Sequence, residues 1–163
     1  MRYAVLSLFL ITPQSIALCE PPRFTFAQEI QTGDADILPG GIVANGTDLF
    51  VVGFETRRVL KVSGAHTGTP TVGVLYRSSK SDTPAGPIEW GTNEGLVTVD
   101  FESPDLLLVA GDTFDDGAML VLNANTGALI HQQAPNINAG NSLRVANAAF
   151  YGSKRIIAGY TAG

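Results

Sequence analysis

Apolar and polar residues alternate in short blocks along this chain, and the stretch from Gly40 to Val62 sets the pattern. Ile42–Ala44, Leu49–Val52 and Val59–Val62 are apolar runs separated by Asn45-Gly46-Thr47-Asp48 and by Glu55-Thr56-Arg57-Arg58. Runs this short, rich in Val, Leu and Phe and bounded by turn residues, predict buried strands rather than helices. Asn45–Asp48 fits a hairpin, because Asn and Gly tolerate positive φ. Thr71–Tyr76 supplies a fourth strand, completing an antiparallel meander.

A weak internal repeat extends the pattern. Asp48–Gly53 aligns with Asp105–Ala110, Arg58–Val62 with Ala118–Leu122, and His66-Thr67-Gly68 with Asn125-Thr126-Gly127. Leu96–Val99 opens the second copy, and a third begins near Leu143–Asn147 and reaches Arg155–Tyr160. The offset is about 57 to 60 residues, longer than the roughly 40–45 of the common propeller repeat. A polar insertion over Arg77–Trp90 holds the extra length. A four-stranded meander repeated in this way predicts an all-β fold: a β-propeller fragment of about two and a half blades. Such a count cannot close a ring, so truncation is expected. A complete small β-sandwich is the alternative.

The N-terminus carries a different pattern. Arg2 followed by the apolar run Tyr3–Ile11 and the break Thr12–Ser15 predicts a signal peptide over 1–19, cleaved after Cys19. Nine or so apolar residues are too few to span a bilayer, which needs about 20. Cys19 also suits a bacterial lipoprotein, but Leu18 stands where such signals have a small residue. Residues 20–36 form a linker, with Phe24–Ile30 alternating as a possible closing strand, and 37–163 form the partial propeller. Cleavage would leave a secreted, extracellular chain without cysteine, hence without a disulfide or thiolate metal site. Asn45-Gly46-Thr47 is a glycosylation sequon at a hairpin tip.

Composition narrows the function classes. Hydrophobic residues at 45% and charged residues at 15% indicate a packed core, not disorder. Eighteen glycines and nine prolines supply many turns. A formal charge of −5 argues against a nucleic-acid surface.

The segments Leu38-Pro39-Gly40-Gly41-Ile42-Val43-Ala44, Asn45-Gly46-Thr47-Asp48-Leu49-Phe50-Val51-Val52 and Thr56-Arg57-Arg58-Val59-Leu60-Lys61-Val62 resemble the first blade of SMP-30/gluconolactonase-like six-bladed propellers. Within that group they are most similar to the secreted fungal branch, which includes propeller allergens and trichothecene-cluster propellers. The resemblance spans Ile37–Tyr160 and implies a funnel at one end of a channel. In the lactonases of the group, Glu, Asn and Asp hold a divalent metal there, calcium or zinc, that polarises a lactone carbonyl or activates water. This sequence departs from that pattern, with Gly40-Gly41 in place of the Glu-Gly pair of the first blade. A Glu-Gly pair does stand at Glu94-Gly95, which makes Glu94 the candidate metal ligand. Trp90, which could stack on a ligand, and Asn141, with Asn138 nearby, are the other candidates for the channel mouth.

The remaining polar clusters carry weaker signals. Asp112, Asp115 and Asp116 lack calcium-loop spacing and fit a hairpin tip. His66 and His131 lie near turns, with no nucleophile placed by spacing. Catalytic residues are therefore not expected. The expected function is binding of a small apolar or lipid-like ligand, or of a host partner, at the channel mouth, with no cofactor and no membrane span. The alternative is a metal-dependent lactonase or esterase.

Overall fold

The computed structural model describes residues 5–10, 25–31, 39–54, 56–78, 95–112, 118–133, 136–138 and 141–161. Two compact units divide the chain, Met1–Asp36 and Ile37–Gly163. In the first, β1 (Val5–Leu10) pairs antiparallel with β2 (Thr25–Gln31), with a bulge between Leu8 and Phe9. The strand expected at Phe24–Ile30 is therefore present as β2, and the apolar run of the N-terminus is its described partner.

The second unit is built of antiparallel strands throughout. β3 (Pro39–Asn45), β4 (Asp48–Gly53), β5 (Arg58–Ser63) and β6 (Thr71–Arg77) form one meander in that order. β7 (Gly95–Ser103), β8 (Leu106–Asp112), β9 (Ala118–Asn123) and β10 (Leu129–Gln133) form a second. β11 (Asn136–Asn138), β12 (Asn141–Tyr151) and β13 (Lys154–Thr161) form a three-stranded sheet. The fold is all-β among the described residues, and the sheets do not close on one another. The polar insertion expected over Arg77–Trp90 lies outside the described residues from 79 onward.

Local chemistry places the turns. Gly46 sits at φ 58° in the two-residue β3–β4 link, where Asn45 pairs directly with Asp48. Asn123 Oδ1 accepts the backbone N–H groups of Asn125 and Thr126, and Gly127 follows at φ 73°. This side-chain capping explains why Asn-x-x-Thr-Gly ends β9. Lys61 Nζ lies 2.9 Å from Asp48 and 5.5 Å from the Phe50 ring centroid. The Lys61 hydrogen bond holds the Asp48 carboxyl below its usual range.

The middle sheet is buried on both faces, which explains its near-continuous apolar strands. Leu107, Val109, Leu120 and Leu122 pack with Phe50, Val52 and Val59 of the first sheet. Leu108, Ala110 and Met119, the alternate positions, pack with Val145 and Ala148 of the third. Period-two alternation thus divides the apolar residues between two interfaces. Phe50 and Phe101 meet edge to face at 5.3 Å across the first interface.

Glycines set how closely the sheets approach. A Cβ on Gly95, at the start of β7, would lie 1.7 Å from the Phe54 carbonyl oxygen. A Cβ on Gly127 would lie 1.9 Å from the Leu75 carbonyl oxygen. Both obstacles are backbone, so a side chain is accommodated only by separating the sheets. Gly95→Ala is expected to lower stability by about 3 kcal/mol or to prevent folding, as overpacking at backbone contacts does. Gly68→Ala, with nothing within 4 Å of the new Cβ, should change stability by less than about 0.5 kcal/mol. Urea unfolding of the two variants measures the difference, and equal midpoints would refute the close approach.

Candidate functional site

The candidate site is the end of the unit where the first strand of each sheet begins. β3 packs on β7, and β12 packs on β7 and β8. Gly40 faces Leu96 and Val97, and Gly41 faces Thr98. Further along, Thr98 contacts Asn147 and Ala148, and Asp100 contacts Phe150. Rising numbers on one strand meet rising numbers on the next, so β3, β7 and β12 run in the same direction. Their starts therefore gather at one end.

At β3 this end is closed to side chains. A Cβ on Gly40 would lie 2.6 Å from the Leu96 carbonyl oxygen and 2.9 Å from the Val97 Cα. A Cβ on Gly41 would lie 3.0 Å from the Thr98 Cα. Glycine is required at Gly40 because two backbones meet there, not because a turn needs it. The carboxylate that a lactonase has at this place has no space between β3 and β7.

The other expected residues divide as follows. Glu94 and Trp90 lie outside the described residues, as do Asp115 and Asp116. Asn141 begins β12 and pairs in register with Asn138, so the two asparagines are brought together as backbone neighbours. Asn45 is exposed at the β3–β4 tip, at the far end of β3 from Gly40, and its amide donates to the Pro104 carbonyl at 3.2 Å. His66 is exposed in the β5–β6 connection, and His131 is exposed on β10. Among the described residues, no three His, Cys, Asp or Glu side chains gather as a metal site. Among them also, no helix is long and apolar enough to cross a membrane.

One polar constellation was not singled out by sequence. Thr98, Asp100 and Glu102 occupy alternate positions on β7 and all engage the third sheet. Thr98 Oγ1 donates to Asn147 Oδ1 at 2.9 Å and lies 3.3 Å from the Ala148 carbonyl. Asp100 accepts the Phe101 N–H and the Phe150 N–H, each at 2.8 Å. Glu102 takes Arg155 bidentately, at 2.9 and 2.7 Å, and holds that guanidinium above its usual pKa. The signal was available as polar residues two apart in an otherwise apolar strand. The ladder joins the second and third sheets and leaves these carboxylates committed to structure.

No known family model matches the chain, and no curated protein or solved structure is found to match it. The resemblance to the gluconolactonase-like propellers rests on the sequence segments that carry it.

Asp100→Ala removes the acceptor of two backbone N–H groups, one of them across the sheet interface. The expected loss is about 1–3 kcal/mol, with reduced hydrogen-exchange protection at the Phe150 amide. Asp100→Asn keeps one acceptor oxygen and should lose less. Unchanged protection at Phe150 in the alanine variant would show that the cross-sheet bond is not formed.

Proposed function

We propose that Ile37–Gly163 is a run of about two and a half β-propeller blades that acts by binding. Its ligand is a small apolar or lipid-like molecule, or a host partner, taken at the end where β3, β7 and β12 begin. The blade reading is supported by two meanders of the same strand order and by first strands stacked in one direction. The apolar character of the ligand comes from the fungal-branch resemblance.

One observation carries the choice of binding over lactone hydrolysis. The Gly40–Gly41 backbone is pressed on β7 where a lactonase of the resembled group places a charged ligand. Calcium takes six to eight oxygens, and losing one carboxylate weakens the site unless water replaces it. We expect no micromolar calcium or zinc binding and no turnover of a simple aldonolactone. Calorimetric titration and a hydrolysis assay test this. Micromolar calcium binding, with both binding and turnover abolished in Glu94→Gln, would establish the lactonase reading instead.

Secretion belongs to the same proposal, motivated by Arg2 and Tyr3–Ile11. Cleavage after Cys19 would remove β1 and leave open the edge of β2 that pairs with it, as a closing strand requires. N-terminal sequencing of protein recovered from the medium should begin near Glu20. An intact Met1 in a cytosolic fraction would refute it.

A further inference from the structure

At the end of the first sheet where β3 begins, the pairing register aligns Pro39, Gly53, Arg58 and Arg77 across four strands. Arg58 and Arg77 are direct cross-strand partners, and Arg57 precedes Arg58 in the β4–β5 turn. Three of the chain's ten lysines and arginines thus share one corner of a chain with formal charge −5. Like charges directly opposite each other destabilise a sheet. A negative group held between them reverses that effect.

The corner has a defined backbone. The Arg57 N–H donates to the Phe54 carbonyl at 3.3 Å, and the Ser78 N–H donates to the Arg57 carbonyl at 3.0 Å. These bonds clasp the turn to the residue after β6. Arg57 itself sits at φ 53°, in the left-handed region that glycine or asparagine adopts at lower cost. Beside it, Thr56 Oγ1 is buried and has no hydrogen-bond partner among the described residues. A buried hydroxyl of this kind calls for an acceptor.

We propose that this corner binds a small oxyanion, a carboxylate or a phosphate, through the Arg58 and Arg77 guanidiniums and the Thr56 hydroxyl. A guanidinium presents its N–H groups as a fork that matches two oxygens of such a group. Arg57 and Arg58 already make interactions within the chain. Each guanidinium carries five N–H donors, so one such contact does not exhaust it. The site lies on the outer strands of the first sheet and does not depend on the ligand proposed for the mouth.

The test is titration of the full chain at low ionic strength with inorganic phosphate and, separately, malonate, against chloride at matched ionic strength. One of the two oxyanions should bind saturably, and which one distinguishes phosphate from carboxylate chemistry. Amide chemical-shift changes should centre on Thr56–Arg58 and Arg77–Ser78. Arg77→Gln and Arg58→Gln should each weaken binding by about tenfold, since charge-assisted bonds are lost. Thr56→Val should weaken it by about threefold, as for one neutral hydrogen bond. Failure of both anions to exceed chloride with the unaltered chain overturns the proposal, whatever the variants do. So does binding whose shift changes fall elsewhere, or glutamine variants that bind as the unaltered chain does.

Discussion

Backbone meets backbone between the sheets of this protein, and only glycine permits it. Gly40 and Gly41 lie against β7, Gly95 against Phe54 and Gly127 against Leu75. Face-to-face sheets separated by ordinary side chains stack about 10 Å apart. Here the absence of Cβ atoms lets the strand starts and the outer turn close on the neighbouring sheet. Once those points touch, the relative register of the sheets is fixed, and the larger side chains must fit the space that remains.

The two interfaces of the middle sheet solve that fit in different ways. Toward the first sheet the contact is apolar, with Phe50 edge-on to Phe101 and leucines behind them. Toward the third, the small cluster around Leu108 and Met119 is supplemented by the Thr98–Asp100–Glu102 ladder. Within that ladder the terms differ in weight. The Glu102–Arg155 pair is partly exposed, 17% and 29%, and such pairs contribute about 0–1 kcal/mol. Asp100 counts for more, because it satisfies a backbone N–H of a different sheet whose only alternative partner would be water. The polar ladder thereby specifies which residue of β12 faces which residue of β7, something leucine contacts leave less sharply defined.

Most strands were legible in the sequence because their apolar runs are bounded by Asn-Gly, Thr-Gly and Asp-rich turns. Ile42–Ala44 and Leu49–Val52 lie within β3 and β4, and the aligned copies at Asp105–Ala110 and Ala118–Leu122 fall on β8 and β9. What sequence did not reveal is how the sheets meet. A glycine that admits a neighbouring backbone looks the same, in one sequence, as a glycine that makes a turn. Gly46 is the second kind, with positive φ and open space around it; Gly95 is the first. The β7 ladder was hidden for a related reason. Thr98 and Asp100 alternate with Val99 and Phe101, as in any strand with one wet face, yet here both faces are covered. Of the candidate site, the Asn138–Asn141 pairing and the closed Gly40–Gly41 contact could be seen only in three dimensions.

The glycine contacts also explain why packing and chemistry compete at the strand starts. In an x-Gly pair, the glycine can meet the neighbouring sheet while the residue before it carries a functional side chain. Glu94-Gly95 has that form, and Gly95 does make the contact, against Phe54. Gly40-Gly41 does not, because both residues are pressed on β7. The first sheet has therefore given the whole pair to packing. Restoring a carboxylate at Gly40 would not simply add a ligand. It would place a Cβ within 2.6 Å of a backbone carbonyl and force β3 away from β7. A change at this position acts on the stacking of the sheets before it acts on any ligand, so at β3 chemistry can be gained only by giving up the close approach.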